Sequence, residues 1–128
     1  EMTLNERMEA SKTSIFKAVF PNTTNHYDTL FGGTALKFMD EVAFISATRF
    51  SKKRMVTISS DKVNFNKAIP SGTIIELVAR VSKVGRTSLE VIVDIFLEEM
   101  YEEKREKAIS GIFTFVAIDE NRKSIPVL

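Results

Sequence analysis

With 128 residues the chain can build one hydrophobic core but not two, and it is read as a single domain over residues 1–128. An apolar fraction of 44%, a charged fraction of 27% and a formal net charge of +1 give no whole-chain attraction to nucleic acid or to an anionic membrane, so any anion site must be local. The absence of cysteine excludes disulfides, thiolate-held zinc and a catalytic thiol, and the single histidine, His26, excludes a multi-histidine metal site within one chain.

Residues 1–11 read as a flexible or short helical lead-in, without the apolar centre of a signal peptide. No run of ~18 apolar residues predicts a spanning helix, so the cytoplasm is the expected location. Residues 12–20 (KTSIFKAVF) alternate, with Phe16, Ala18 and Phe20 on one face, and predict a first strand stopped by Pro21. Residues 21–29 (PNTTNHYDT) are rich in turn formers and predict a loop. Gly32 and Gly33 then open TALKFMDEVAFISATRF, whose apolar residues recur at helix spacing from Ala35 to Phe50. A stripe that broad must be largely buried. The few polar positions of this helix are Lys37, Asp40, Glu41, Thr48 and Arg49.

The remainder has a period of two. Residues 54–66 carry Val56 and Ile58 on one phase and Val63 and Phe65 on the other, and the switch near Ser59–Lys62 predicts a bulge or bend. Residues 73–84 align Ile75, Leu77, Ala79 and Val81. Residues 87–98 align Leu89, Val91, Val93, Ile95 and Leu97 against Glu90, Asp94 and Glu98. VGRT between them predicts a tight hairpin at Gly85. Residues 99–107 (EMYEEKREK) predict a solvated loop, 108–118 the last strand, and DENRK a terminal turn. One strand, one long apolar helix and four strands linked mainly by hairpins make an α+β fold, an antiparallel sheet wrapped around a single central helix.

That element order fits several helix-on-sheet folds, and the residues are more specific. TNHYDTLFGGTALKFMDEVAFISATRF has an Asn before the loop, Phe-Gly-Gly at the helix start and Met-Asp two turns on. VTISSDKVNF, Pro70 and Gly72, VGRTS and GIFTFVAID follow in order. Across residues 14 to 126 this series resembles the acyl-CoA hydrolase family of hot-dog thioesterases. The resemblance implies the hot-dog fold and hydrolysis of fatty acyl-CoA to free acid and coenzyme A. It implies no cofactor beyond the coenzyme A of the substrate; composition, charge and the lack of a long apolar run lead us to expect no metal, no nucleic acid and no membrane. It also implies a homo-oligomer in which two protomers pair their sheets edge to edge, with each active site at the interface. Many members of the family are trimers of such dimers.

Thioester hydrolysis needs a base or nucleophile, a stabiliser for the developing oxyanion and a grip on the substrate. A carboxylate within an apolar helix is costly to bury, and desolvation makes it a better base. Asp40 fits that description, although beside Glu41 and one turn from Lys37 it also reads as part of a polar face. Asn25 reads either as an Asx-turn residue or as a donor to the thioester or to a water. The resemblance implies catalytic roles for both, with Asn25 facing Asp40 of a second protomer. Gly32 and Gly33 would present free N–H groups and the positive dipole end of the helix to a carbonyl oxygen, a sound oxyanion hole. Gly85, Arg86, Thr87 and Ser88 read as a hairpin turn. The resemblance places that turn at the groove for coenzyme A. Arg54 and Lys53 are further phosphate candidates, or simply a solvated charge run. Phe31, Phe38, Met39 and Phe65 can line an acyl tunnel or belong to the core. His26, Tyr27 and Asp28 depart from the family's usual small loop residues, a difference that bears on substrate preference and not on the reaction. Two other functions fit the same elements: a hot-dog enoyl-CoA hydratase or dehydratase pairing His26 with Asp40, and a non-catalytic acyl-CoA-binding protein.

Overall fold

The computed structural model describes residues 1–128. The lead-in is helical. α1 (Leu4–Ala10) starts at a capping box, in which the Glu6 backbone N–H donates to the Thr3 hydroxyl while the Glu6 carboxylate accepts from the Thr3 N–H. Arg7 then ties α1 to the end of the main helix by donating to the Phe50 carbonyl at 2.9 Å.

β1 (Thr13–Ala18) is the expected strand. Its inward positions are Thr13, Ile15 and Lys17, while Phe16 and Ala18 point outward and Phe16 and Phe20 are exposed. A 3-10 turn at Pro21–Thr23 leads into the loop that precedes α2 (Gly32–Ser51). α2 buries Ala35, Met39, Val42, Ala43, Ala47 and Phe50, a stripe that follows the 3.6-residue period. It ends at Lys52, which adopts a left-handed conformation with φ 61°.

Four strands follow: β2 (Arg54–Phe65), β3 (Thr73–Val84), β4 (Ser88–Glu99) and β5 (Arg105–Ile118). They form one antiparallel sheet with β1 in the order β1-β3-β4-β5-β2. The inward faces of β3, β4 and β5 close on α2 in a single cluster of 25 buried apolar residues. This is the hot-dog arrangement expected, with β1 and β2 as its two free edges.

Two strand expectations are refined. β2 slips register between Thr57 and Ser59 and again between Asp61 and Asn64, with Lys62 at φ 52°, so the predicted bulge is two bulges. β5 begins at Arg105 instead of residue 108, and the solvated loop shrinks to 100–104. The charges read as loop residues are cross-strand partners. Arg105 bonds Glu76 and Glu98 and lies over the Phe96 ring at 4.3 Å, and Lys107 reaches Asp94.

The β2–β3 connection carries the loop before α2. The N–H groups of Asn66 and Lys67 both donate to the Ala108 carbonyl, and Lys67 pairs with Glu106. The hydrogen bond from Lys67 holds the Glu106 carboxyl below its ordinary range. On this base, the Leu30 N–H donates to the Ile69 carbonyl at 2.8 Å and the Ser71 N–H to the Asp28 carbonyl at 3.0 Å.

Candidate functional site

Asp40 lies where α2 crosses the middle of β2. The Thr57 hydroxyl donates to its Oδ1 at 2.8 Å, at the exposed boundary between helix and edge strand. Asp40 is therefore half-buried within one chain, where sequence had suggested an enclosed acid. In the first half of β2, Met55 and Thr57 are turned toward α2, while Ile58 on the other phase is exposed. Thr57 was not among the predicted site residues. The available signal was its place in VTISSDKVNF, a segment of the motif series.

Asn25 is an Asx-turn residue and more. Its Oδ1 accepts from the Tyr27 N–H at 2.9 Å, the Thr29 N–H at 3.3 Å and the Thr29 hydroxyl at 3.1 Å. Its own N–H donates to the Thr29 carbonyl at 2.8 Å. The carboxamide oxygen is thus fully engaged and the group cannot rotate freely. Its NH2 donates to nothing within the chain and stays free for a ligand. The neighbouring His26 and Tyr27 rings lie with centroids 4.0 Å apart, tilted by 40°, and neither bonds Asp40 within the chain.

The start of α2 leaves backbone donors unspent. The first bond into the helix is from the Ala35 N–H to the Phe31 carbonyl, and Phe31 offers no capping side chain. The N–H groups of Gly32, Gly33 and Thr34 have no acceptor in the chain. A Cβ on Gly33 would meet nothing within 4 Å, and one on Gly32 would sit in ordinary contact, 3.7 Å from the Phe65 ring. Nothing inside the chain therefore requires these glycines, and the space they leave lies open. Of the four tunnel candidates, Phe31 and Phe65 are exposed beside that space. Met39 is fully buried core, and Phe38 packs under Lys17 at 4.4 Å.

The candidate phosphate residues gather elsewhere. Gly85, Arg86, Thr87 and Ser88 form the β3–β4 turn, where the Gly85 N–H donates to the Ser88 carbonyl at 2.8 Å. A Cβ at Gly85 would lie 3.3 Å from Ser88 oxygens, which explains glycine there. The Val127 N–H donates to the Arg86 carbonyl, and the Ser51 hydroxyl donates to the Val127 carbonyl at 2.6 Å. The turn is thereby tied to the C-terminal end of α2. Arg54 opens β2 at that same end, in a groove shared with Lys52, Lys53 and Asn121. A helix of 20 residues spans about 30 Å. A single chain thus brings Asn25, Gly32 and Gly33 together at one end of α2, with Asp40 two turns in, and holds Arg54 and Arg86 at the other end.

The Thioesterase superfamily matches residues 27–104. The chain is 40% identical over 117 residues to the uncharacterized acyl-CoA thioester hydrolase YkhA of Bacillus subtilis (strain 168), covering 91% of this chain and 68% of that protein. It superposes with a TM-score of 0.89 at 39% identity on an acyl-CoA hydrolase from Staphylococcus aureus in complex with butyryl coenzyme A, coenzyme A and coenzyme A disulfide, over 93% of this chain and 73% of that one. A hexameric acyl-CoA thioesterase in its apo form matches with a TM-score of 0.90 at 35% identity, over 93% and 76% of the two chains. The Staphylococcus aureus enzyme also matches as three single alanine variants. They replace an asparagine, an aspartate fifteen positions later and a threonine seventeen positions beyond that.

Proposed function

Because the chain belongs to the thioesterase superfamily, among its acyl-CoA thioester hydrolases, we infer that it hydrolyses acyl-CoA to a free acid and coenzyme A at a centre built from Asp40, Thr57, Asn25 and the start of α2. The observation that carries this centre is the bond from Thr57 to Asp40, together with the unspent N–H donors at the start of α2. The spacing supports it: Asn25, Asp40 and Thr57 stand fifteen and seventeen residues apart, as do the three residues replaced in the Staphylococcus aureus enzyme.

In this reading the thioester oxygen sits on the N–H groups of Gly32 and Gly33, where negative charge develops as the carbonyl carbon becomes tetrahedral. The free NH2 of Asn25 donates to the same oxygen or orients the attacking water. Across the dimer interface, Asp40 of the partner subunit, oriented there by Thr57, supplies the electron pair that takes the water's proton or attacks the carbon itself. The tetrahedral centre then collapses, the carbon–sulfur bond breaks, and coenzyme A leaves as a thiolate that takes up the proton held by Asp40 or one from solvent; on the direct route a water then cleaves the acyl–Asp40 anhydride to free acid and carboxylate. Asp40 needs no metal for these steps, and coenzyme A enters only as part of the substrate.

The substrate also needs a grip on its phosphates, which the near end of α2 lacks. β2 offers one free edge. If a second copy pairs its β2 antiparallel along that edge, in a register centred on the strand, the partner subunit's Arg54 comes beside Phe65, and Phe65 lies against Gly32. The two ends that one chain holds apart thereby meet across the interface. We therefore propose a dimer formed edge to edge, with three dimers making a hexamer like the matched hexameric thioesterase. Residues 1–128 act as one catalytic domain in this scheme. No helix is long and apolar enough to cross a membrane, and the cysteine-free composition favours the cytoplasm.

The hydratase alternative, which pairs His26 with Asp40, is disfavoured by relatives and solved structures named as acyl-CoA hydrolases, and within one chain His26 lies against Tyr27. The binding-only alternative is disfavoured by relatives named as hydrolases. The decisive experiment is release of free thiol from acyl-CoAs of short to long chain, with oligomer mass measured on the same sample. Release with at least one chain length is expected. No thiol from any of them overturns the assignment.

A further inference from the structure

The face of the sheet turned away from α2 carries its charges as cross-strand pairs. Arg105 bridges Glu76 and Glu98, Lys107 reaches Asp94 at 3.6 Å, and Lys83 reaches Glu90 at 3.9 Å. Among the basic residues of β3, β4 and β5, Arg80 alone has no carboxylate partner. The register explains why. Ile92 stands opposite Arg80, and Ile112 stands opposite Ile92. The acids one row away, Glu90 and Asp94, are already held by Lys83 and Lys107. A sheet-surface cation ordinarily gains from an opposite charge across the strand. Arg80 instead stands at the rim of an apolar floor.

That floor belongs to a groove of about 320 Å³. Lys62 and the Ser110 hydroxyl complete its rim. Lys62 is aimed there by the second bulge of β2, where its φ is 52° and the Asn64 side chain donates to its carbonyl at 3.2 Å. Lys62 also has no carboxylate partner, and the Ser110 hydroxyl makes no hydrogen bond within the chain. With Lys107, the groove holds three cations against the single carboxylate of Asp94.

We propose that this groove binds an organic phosphate, with its oxygens between Arg80 and Lys62 and its apolar part on Ile92 and Ile112. Two unpaired cations and a hydroxyl suit the several acceptor oxygens and double charge of a phosphate, where a carboxylate would leave one cation idle. The ligand has two possible sources with the same chemistry: the phosphate tail of the coenzyme A substrate, or a free nucleotide. The groove lies on the opposite face of the sheet from α2, so the site stands whether or not the thioesterase assignment holds.

The test is calorimetric titration of the intact protein with ADP and with adenosine 3′,5′-bisphosphate, at low ionic strength. Wild type, Arg80→Gln, Arg80→Lys and Lys83→Gln are compared, alongside steady-state kinetics on an acyl-CoA. Arg80→Gln should weaken binding about tenfold or more, since it removes charge-assisted hydrogen bonds. Arg80→Lys should recover part of the loss, and Lys83→Gln, which alters a paired cation on the same face, should change nothing. A raised KM at unchanged kcat in Arg80→Gln identifies the substrate's own tail. An unchanged KM with lost ADP binding identifies a free nucleotide. Thiol release by wild type, read in the same samples, separates failure of this site from failure of the thioesterase reading. The proposal is overturned if neither compound binds wild type, or if both bind Arg80→Gln as tightly as wild type, with KM unmoved.

Discussion

Thr57 on β2 donates its hydroxyl to Asp40 on α2 at 2.8 Å, so an edge strand orients the carboxylate of the central helix. Thr57→Val removes that hydroxyl at nearly constant volume. Turnover should fall about tenfold or more, as expected when a group loses its orienting hydrogen bond, and Thr57→Ser should restore most of it. Steady-state kcat for the two variants decides. Equal rates in Thr57→Val and wild type would separate Thr57 from the chemistry.

Asp40→Asn keeps an oxygen for Thr57 to bond but loses the basic electron pair. The rate should fall about 10²–10⁴-fold while coenzyme A still binds. Single-turnover hydrolysis in 18O-labelled water then distinguishes the two routes in wild type. Label found in the Asp40 carboxylate means direct attack, and label confined to the released acid with no acyl–Asp40 adduct seen by rapid-quench mass spectrometry means activation of water.

Asn25→Asp separates the two uses of this side chain. It retains the oxygen that anchors the Asx turn and replaces the free NH2 with an acceptor. The protein should melt near the wild-type temperature and lose turnover by about 10²-fold, the scale of one lost donor to a developing oxyanion. A variant that unfolds early would mean that Asn25 is chiefly structural.

Gly33→Ala tests the open helix start in the same spirit. No atom lies within 4 Å of the added methyl, and alanine favours helix over glycine. Thermal stability should be unchanged or slightly higher while kcat/KM drops, because the methyl occupies the approach to the free N–H groups. Gly111→Ala makes the contrast. Its methyl would lie 3.1 Å from Val63 and 3.2 Å from Met39, so overpacking should cost about 1–3 kcal/mol in denaturant unfolding.

Acid should loosen the base of the Asn25 loop. Glu106 has its carboxyl lowered by the hydrogen bond from Lys67, so the pair contributes above the ordinary carboxylate pKa and is lost as pH falls through the lowered value. Protection of the Asn66 and Lys67 amides against hydrogen exchange should fall over that acidic window. Protection independent of pH would remove the pair from any role in holding the loop.

Local pattern determined most of this protein. The helix from Gly32 to Ser51, the strand at Thr73–Val84 and the turn at Gly85 follow from periodicity and glycine placement, because each depends on neighbours in sequence. The motif series likewise pointed to Asn25, Asp40 and the glycine pair. Other features depend on what stands opposite in space. Arg105 and Lys107 read as loop until Glu76, Glu98 and Asp94 are placed across the strands. Phe16 and Phe20 shared a face in the sequence, and only packing shows that face to be the outer one. Thr57 looked like any strand residue until α2 was laid across β2. Arg54, three residues past α2, follows the helix to its far end in sequence, but Arg86 proved to lie there too, a helix length from Gly32, because Val127 bonds both Arg86 and Ser51, a contact with no local signature.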